Sequence, residues 1–248
     1  CFEKKKCNSA VKHCVFIKCR RFYKRLKLFI PQSYRLPLAL VPLWFVLAYF
    51  AGRIISRGRF HACFEIGLDR SIPFLPWTVV IYLMEYPFWI VNYCLAARSE
   101  KSDAYRLFCA DFLTECVCFA FFVLLPTMNV RPEISGNGVC KLLMATLYRV
   151  DSADNLFPSL HCAGSGLAVV GISGEKSIPV WYRAFSWLML GAICISTLTT
   201  KQHVVIDVLG GLLIAFGAYW ISGKPAVQNL YIQMIERIAS VRLVRRHK

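Results

Sequence analysis

The chain of 248 residues carries 30 Lys and Arg against 14 Asp and Glu, a formal net charge of +16, yet 57% of it is hydrophobic and only 18% charged. The charged share is below that of ordinary soluble domains, and several apolar runs approach the ~20 residues that cross a bilayer, which excludes a soluble domain built on one core. The excess charge lies at the ends, with eleven Lys or Arg and one acid in residues 1–35 and six and one in residues 223–248. That pattern fits cytoplasmic ends touching anionic lipid, and with no recognition fold beside it nucleic acid is not an expected partner.

In chain order, residues 1–35 read as a basic interfacial segment, with Val15, Phe16, Phe22 and Phe29 among the charges. No cleavable signal peptide is expected there. Cys1, Cys7, Cys14 and Cys19 with His13 lack the paired spacing of a zinc site, so no metal is expected.

Residues 36–222 read as a membrane domain of six helices. The first span, 36–55, has Pro37 and Pro42 in its opening turns, where proline is tolerated. A polar loop, 56–73, leads to a second span, 75–97, whose Glu85 is costly unless it faces the bundle. A charged turn, 98–106, precedes the third span, 107–125, in which Asp111 and Glu115 share a face. The longest loop, 126–155, contains Arg131-Pro132, the turn signal Asn137-Gly138 and an apolar stretch, 139–147.

The fourth span, 157–172, is short, and its Gly164, Ser165 and Gly166 allow close helix approach. A tight turn, 173–179, leads to the fifth span, 180–200. The sixth, 203–222, contains Gly210-Gly211. Residues 223–248 read as a basic amphipathic surface helix. Six spans put both termini on the cytoplasmic side, and the segments carrying Arg131, 157–161 and 201–203 on the extracytoplasmic face.

Those three segments carry the chemistry. His161 and His203 each start an apolar helix, where free N–H groups and a partial positive charge suit a phosphate. His203 lies four residues before Asp207, so on a helix the carboxylate shares its face and fixes its tautomer. Ser159 offers a hydroxyl or N–H to a phosphoryl oxygen, Arg131 a fork and Lys201 a point charge. A mechanism follows without metal or other cofactor. His203 attacks phosphorus and His161 protonates the leaving oxygen. Water or an acceptor hydroxyl then resolves the phosphohistidine, with cationic groups and backbone donors stabilising the phosphoryl charge. Taken singly, an interfacial His is usually a packing residue and an Arg-Pro a turn; the three segments on one face are what argue for a site.

Pro158-Ser159-Leu160-His161 resembles the Pro-Ser-x-His motif of the type 2 phosphatidic acid phosphatase superfamily. His203-Val204-Val205-Ile206-Asp207 resembles its last motif, His-x-x-x-Asp, and Arg131-Pro132 the end of its first, Lys-x6-Arg-Pro. Two positions depart: Leu124 stands where the first motif has Lys, and Thr197 where the last has Arg six residues before its His. The wording Phe-Pro-Ser-Leu-His with Thr-Lys-Gln-His is similar to the branch containing inositol phosphorylceramide synthases and related bacterial proteins, which includes transferases.

The resemblance implies an all-α, six-helix membrane bundle with His203 as nucleophile, Asp207 as its partner, His161 as acid, and Arg131 and Ser159 as phosphate ligands. The expected activity is hydrolysis of a lipid phosphate or diphosphate. The alternatives are transfer of a phosphoryl head group such as phosphoinositol to a lipid alcohol, and a non-catalytic scaffold or transporter. Against a transporter, no repeated halves are visible.

Overall fold

The structure, a computed structural model, describes residues 30–98 and 101–244. The basic segment before Ile30, with its cysteines and His13, lies outside the described residues.

After one 3-10 turn, α1 runs Arg35–Ser56 and turns Leu43, Val46, Leu47, Phe50 and Ile54 outward. The polar loop that follows contains a five-residue helix, α2 (Gly67–Ser71). A 3-10 turn with Pro76 at its first position leads into α3 (Val79–Ala96). The expected charged turn at 98–106 is corrected: α4 (Lys101–Leu124) starts at Lys101. Ala104, Tyr105 and Phe108 are buried at helical spacing and Asp103 sits in the first turn, so the inward face continues to the N-terminus.

The apolar stretch of the long loop forms α5 (Val139–Val150). α6 is Leu160–Ser173, α7 Val180–Thr199, α8 Val205–Ile221 and α9 Pro225–Val244. Two helix starts therefore shift. Phe157–Ser159 precede α6, and His203 precedes α8 by two residues, because Ser159 and Val204 occupy the cap positions.

Among the described residues three segments qualify as spans by length and apolarity, Gln32–Ser56, Pro76–Ala96 and Asp103–Leu124, with a fourth if α8 and α9, bent by 93°, count as one broken span. The difference from six arises because α6 has only 14 residues and α8 only 17, while Arg183 and the hydroxyls of Ser186, Ser196 and Thr197 dilute α7. Three apolar spans nonetheless make this a membrane protein.

α6 forms the centre of the bundle. It packs on α3, α4, α7 and α8, and most of its residues are buried. Its small residues permit this: Gly164 lies against the Trp89 indole and Gly166 against Leu212 and Phe216. α1 packs chiefly on α4. The expected surface tail is also revised, since α9 buries Tyr231 and Ile235 in the same core cluster as Tyr105 and Phe108.

At one end of the bundle the loops are joined. Bridges pair Ala62 with Thr127 and Met128 with Asp154. The Leu75 N–H donates to the Thr199 carbonyl (2.9 Å), and the Asn129 amide to the Lys201 carbonyl (3.0 Å).

Candidate active site

Ser159 caps α6, its hydroxyl accepting the Cys162 N–H at 3.3 Å, and this sets His161 in the helix's first turn. The Ser159 N–H donates to the Asp207 carbonyl (3.0 Å), tying the start of α6 to the first turn of α8. Beside this link Gly211 has no room for a side chain, since a Cβ would strike the Ser159 carbonyl.

His203 is aimed by the turn before α8. The N–H groups of Gln202 and His203 both donate to the Thr197 carbonyl, at 3.0 and 3.1 Å, which Lys201 permits by adopting a left-handed φ of 55°. Asp207 then reaches back from the first turn of α8. Its Oδ2 accepts the Val204 N–H at 3.0 Å and lies 3.3 Å from Nδ1 of His203. The expected pair therefore forms, but as a helix cap rather than two residues on one helical face.

The two imidazoles face each other with ring centroids 5.5 Å apart, and both are buried. His161 is held on both nitrogens. Glu85 of α3, fully buried, lies 2.5 Å from Nδ1, and the Tyr82 hydroxyl 2.7 Å from Nε2. Tyr82 also donates to Asp151 (3.3 Å), which accepts from Tyr49 at 2.6 Å. Trp89 stacks on the His161 ring at 6.2 Å and 24°.

Arg131 donates to the carbonyls of Asp151 (2.5 Å) and Ser152 (3.0 Å) and to the Gln202 side chain, over the face of Tyr148 at 4.7 Å. Burial lowers its guanidinium pKa from the ordinary value and pushes the Tyr148 phenol up to about 12. The Arg131 Nε has no hydrogen-bond partner, nor does Nε2 of Gln202.

His203 borders two cavities. One, about 150 Å³, is lined by His161, Asp151, Asp154 and the rings of Phe45, Tyr49 and Tyr86. The other, about 360 Å³, is lined by Arg131, Lys201, Arg70, Asn129 and Asp69.

The residues singled out from sequence thus gather around His203, with three adjustments. The Ser159 N–H is committed to Asp207. Two of the Lys201 ammonium's donors serve the carbonyls of Asp69 (2.8 Å) and Ile72 (2.6 Å). Leu124, at the position of the motif lysine, is 76% exposed at the end of α4. Among the described residues no group of three or more His, Cys, Asp or Glu could hold a metal ion.

The sequence model of the PAP2 superfamily matches residues 59–221, a stretch that contains both histidines, Arg131 and Glu85. The chain belongs to the PAP2 superfamily. No curated protein and no solved structure matches it. PAP2 membership makes its chemistry of phosphatase or phosphotransferase type.

In this PAP2 protein the motifs leave out Glu85, Tyr82, Asp151 and Gln202. Glu85 had a sequence signal, a lone carboxylate in an apolar run, and Tyr82 three residues earlier shares its helical face. Asp151 lies in an irregular segment without periodicity and had none, while Gln202 was visible only as part of Thr-Lys-Gln-His.

Proposed function

We propose that this chain is an integral membrane lipid phosphatase that hydrolyses a lipid phosphate or diphosphate through a phosphohistidine. The observation that carries the reading is the pair of imidazoles 5.5 Å apart, each held on Nδ1 by its own buried carboxylate.

With Asp207 accepting the Nδ1–H of His203, the lone pair is on Nε2. Nε2 attacks the terminal phosphorus; an N–P bond forms and the bond to the leaving oxygen breaks. His161, oriented by Glu85, gives that oxygen its Nε2 proton, and a lipid alcohol departs from a phosphate monoester or a lipid monophosphate from a diphosphate. His161 then takes a proton from water, the water oxygen attacks phosphorus, the N–P bond breaks and inorganic phosphate leaves. Arg131, with its unpartnered Nε, the Ser159 hydroxyl and the remaining Lys201 donor serve the phosphoryl oxygens. Phosphatidic acid, phosphatidylglycerol phosphate and a polyprenyl diphosphate are substrates of the right class.

A second reading is transfer of a head group such as phosphoinositol to a lipid alcohol. It is supported by the aromatic cavity beside His161, which has room for an acceptor. In both readings residues 36–222 form six bilayer-crossing helices flanked by basic interfacial segments, with both termini cytoplasmic and the histidines on the extracytoplasmic face.

The test is phosphate release from purified lipid phosphates in detergent without added metal, wild type beside His203→Ala. Release by wild type, lost by at least about 10³-fold in a variant with unchanged melting, is the expected result. Equal release by both proteins sinks the nucleophile assignment. If neither releases phosphate while wild type moves a head group from phosphatidylinositol to a lipid alcohol, transfer is the activity.

A further inference from the structure

The turn that aims His203 has its main-chain donors met in an unequal way. The N–H groups of Gln202 and His203 go to the Thr197 carbonyl and that of Val204 to Asp207, all within the motif segment. The next one is met from elsewhere. The Val205 N–H donates at 2.8 Å to Oδ1 of Asp69, a residue of α2 that lies 136 positions earlier.

Asp69 is 6% exposed, and its other oxygen, Oδ2, accepts the Ile66 N–H at 2.8 Å to cap α2. Capping a five-residue helix in a polar loop requires one carboxylate oxygen and no burial, and burying a carboxylate is costly unless it is hydrogen-bonded. The second oxygen reaches the start of α8, where a negative charge suits the positive end of the helix. Lys201 closes the same junction on the other side of His203, through the carbonyls of Asp69 and Ile72. His203 is thus bracketed, at Lys201 and Val205, by two ties to one loop. The N–H groups of Val204 and Val205, which the sequence pattern leaves open to a phosphate, are filled by carboxylates instead.

A nucleophile is sensitive to its placement, since a displacement of about 1 Å caused far from the chemistry can cost about 10²-fold in rate. Asp207 lies against the His203 ring, whereas the backbone that carries the ring is anchored at Val205 by Asp69. We infer that Asp69 is a positioning residue for His203, acting through the Val205 N–H. This role rests on the reading of His203 as nucleophile.

The link can be cut from either end. Asp69→Ala removes the acceptor. Val205→Pro removes the donor alone: Val205 is the first residue of α8, where proline fits, and Val204 before it is already extended, with φ −102° and ψ 165°. The test is the single-turnover rate constant of the full chain in detergent on phosphatidic acid, or on phosphatidylinositol with a lipid alcohol if transfer is the activity, with KM and thermal melting measured alongside. That rate constant is independent of the fraction of protein that is active, so partial misfolding does not move it. Each variant should slow it by about 10–100-fold with KM changed less than about threefold. The double variant should be no slower than the slower single one, since both cut the same bond. If Asp69→Ala fails to fold, Val205→Pro decides. A wild-type rate in Val205→Pro, losses that multiply in the double variant, or a loss carried by KM would overturn the role of Asp69. His203→Ala separates the two readings: if it keeps turnover, or if wild type turns over neither substrate, the nucleophile and its positioning residue fall together. If it loses turnover while Val205→Pro keeps the wild-type rate, only the positioning role falls.

Discussion

At the scale of single residues, the two histidines differ in how they are held. Asp207 caps α8 and, in the proposed mechanism, locks the tautomer of His203, so changing it would disturb the proposed nucleophile without emptying the site. Asp207→Asn should lower kcat by about 10²–10⁴-fold with a smaller change in KM, checked by steady-state kinetics on a lipid phosphate. In the proposed mechanism Glu85 positions the acid, and an acid matters most when the leaving oxygen is a poor leaving group. Glu85→Gln should therefore cost about 10–100-fold on a lipid phosphate but little on p-nitrophenyl phosphate. Equal losses on both would show that Glu85 only packs.

These partners were unequally legible in the chain. His203 and Asp207 stood out because polar residues four apart are conspicuous in an apolar run, although the geometry that joins them is a cap. The contact between Glu85 and His161 spans 76 positions of sequence, and no local pattern encodes it. Arg131 was visible as Arg-Pro, but its grip on the carbonyls of Asp151 and Ser152 depends on where the loop folds.

At the scale of elements, α6 and α8 meet at glycines. The pairs around 164–166 and 210–211 marked close packing in the sequence, and the structure assigns each a partner: Gly164 the Trp89 indole, Gly210 the Phe157 ring, Gly211 the Ser159 backbone. A flexible side chain can yield, but a carbonyl held in a cap cannot. Gly211→Ala should destabilise by about 1–3 kcal/mol and lower activity as His161 shifts against His203. Gly217→Ala, in the same helix with open space around it, should be neutral or stabilising by up to about 1 kcal/mol. Thermal melts of the two variants compare these directly. Helix ends were less legible than helix existence. Capping by Ser159 and Val204 moved two starts, and the inward face of Ala104 and Phe108 extended α4 over a stretch that composition alone marks as a turn.

At the scale of the whole molecule, the loops that carry the site share one end of the bundle, tied through Ala62, Thr127, Met128, Asp154 and Lys201. The orientation proposed from charge bias puts that end on the extracytoplasmic side. Cys63 is exposed in the first of these loops. In a variant keeping only that cysteine, an impermeant maleimide should label intact cells; labelling only after permeabilisation would reverse the orientation. Apolar runs alone made the bundle legible, whereas its span count depends on how the short α6 and the bent α8 and α9 sit in a bilayer.

The single hydrogen bond from Ser159 to the Asp207 carbonyl has a mechanical consequence. It clamps the start of α6 to the first turn of α8, beside His161 and just after His203, so the separation of those two backbones is set by main chain. Whatever breathing admits a substrate must then occur on the opposite wall, where Phe45 and Tyr49 of α1 and Asp151, Asp154 and Leu156 border the cavity. The histidine pair acts as a fixed anvil, and the door belongs to α1 and the segment after α5.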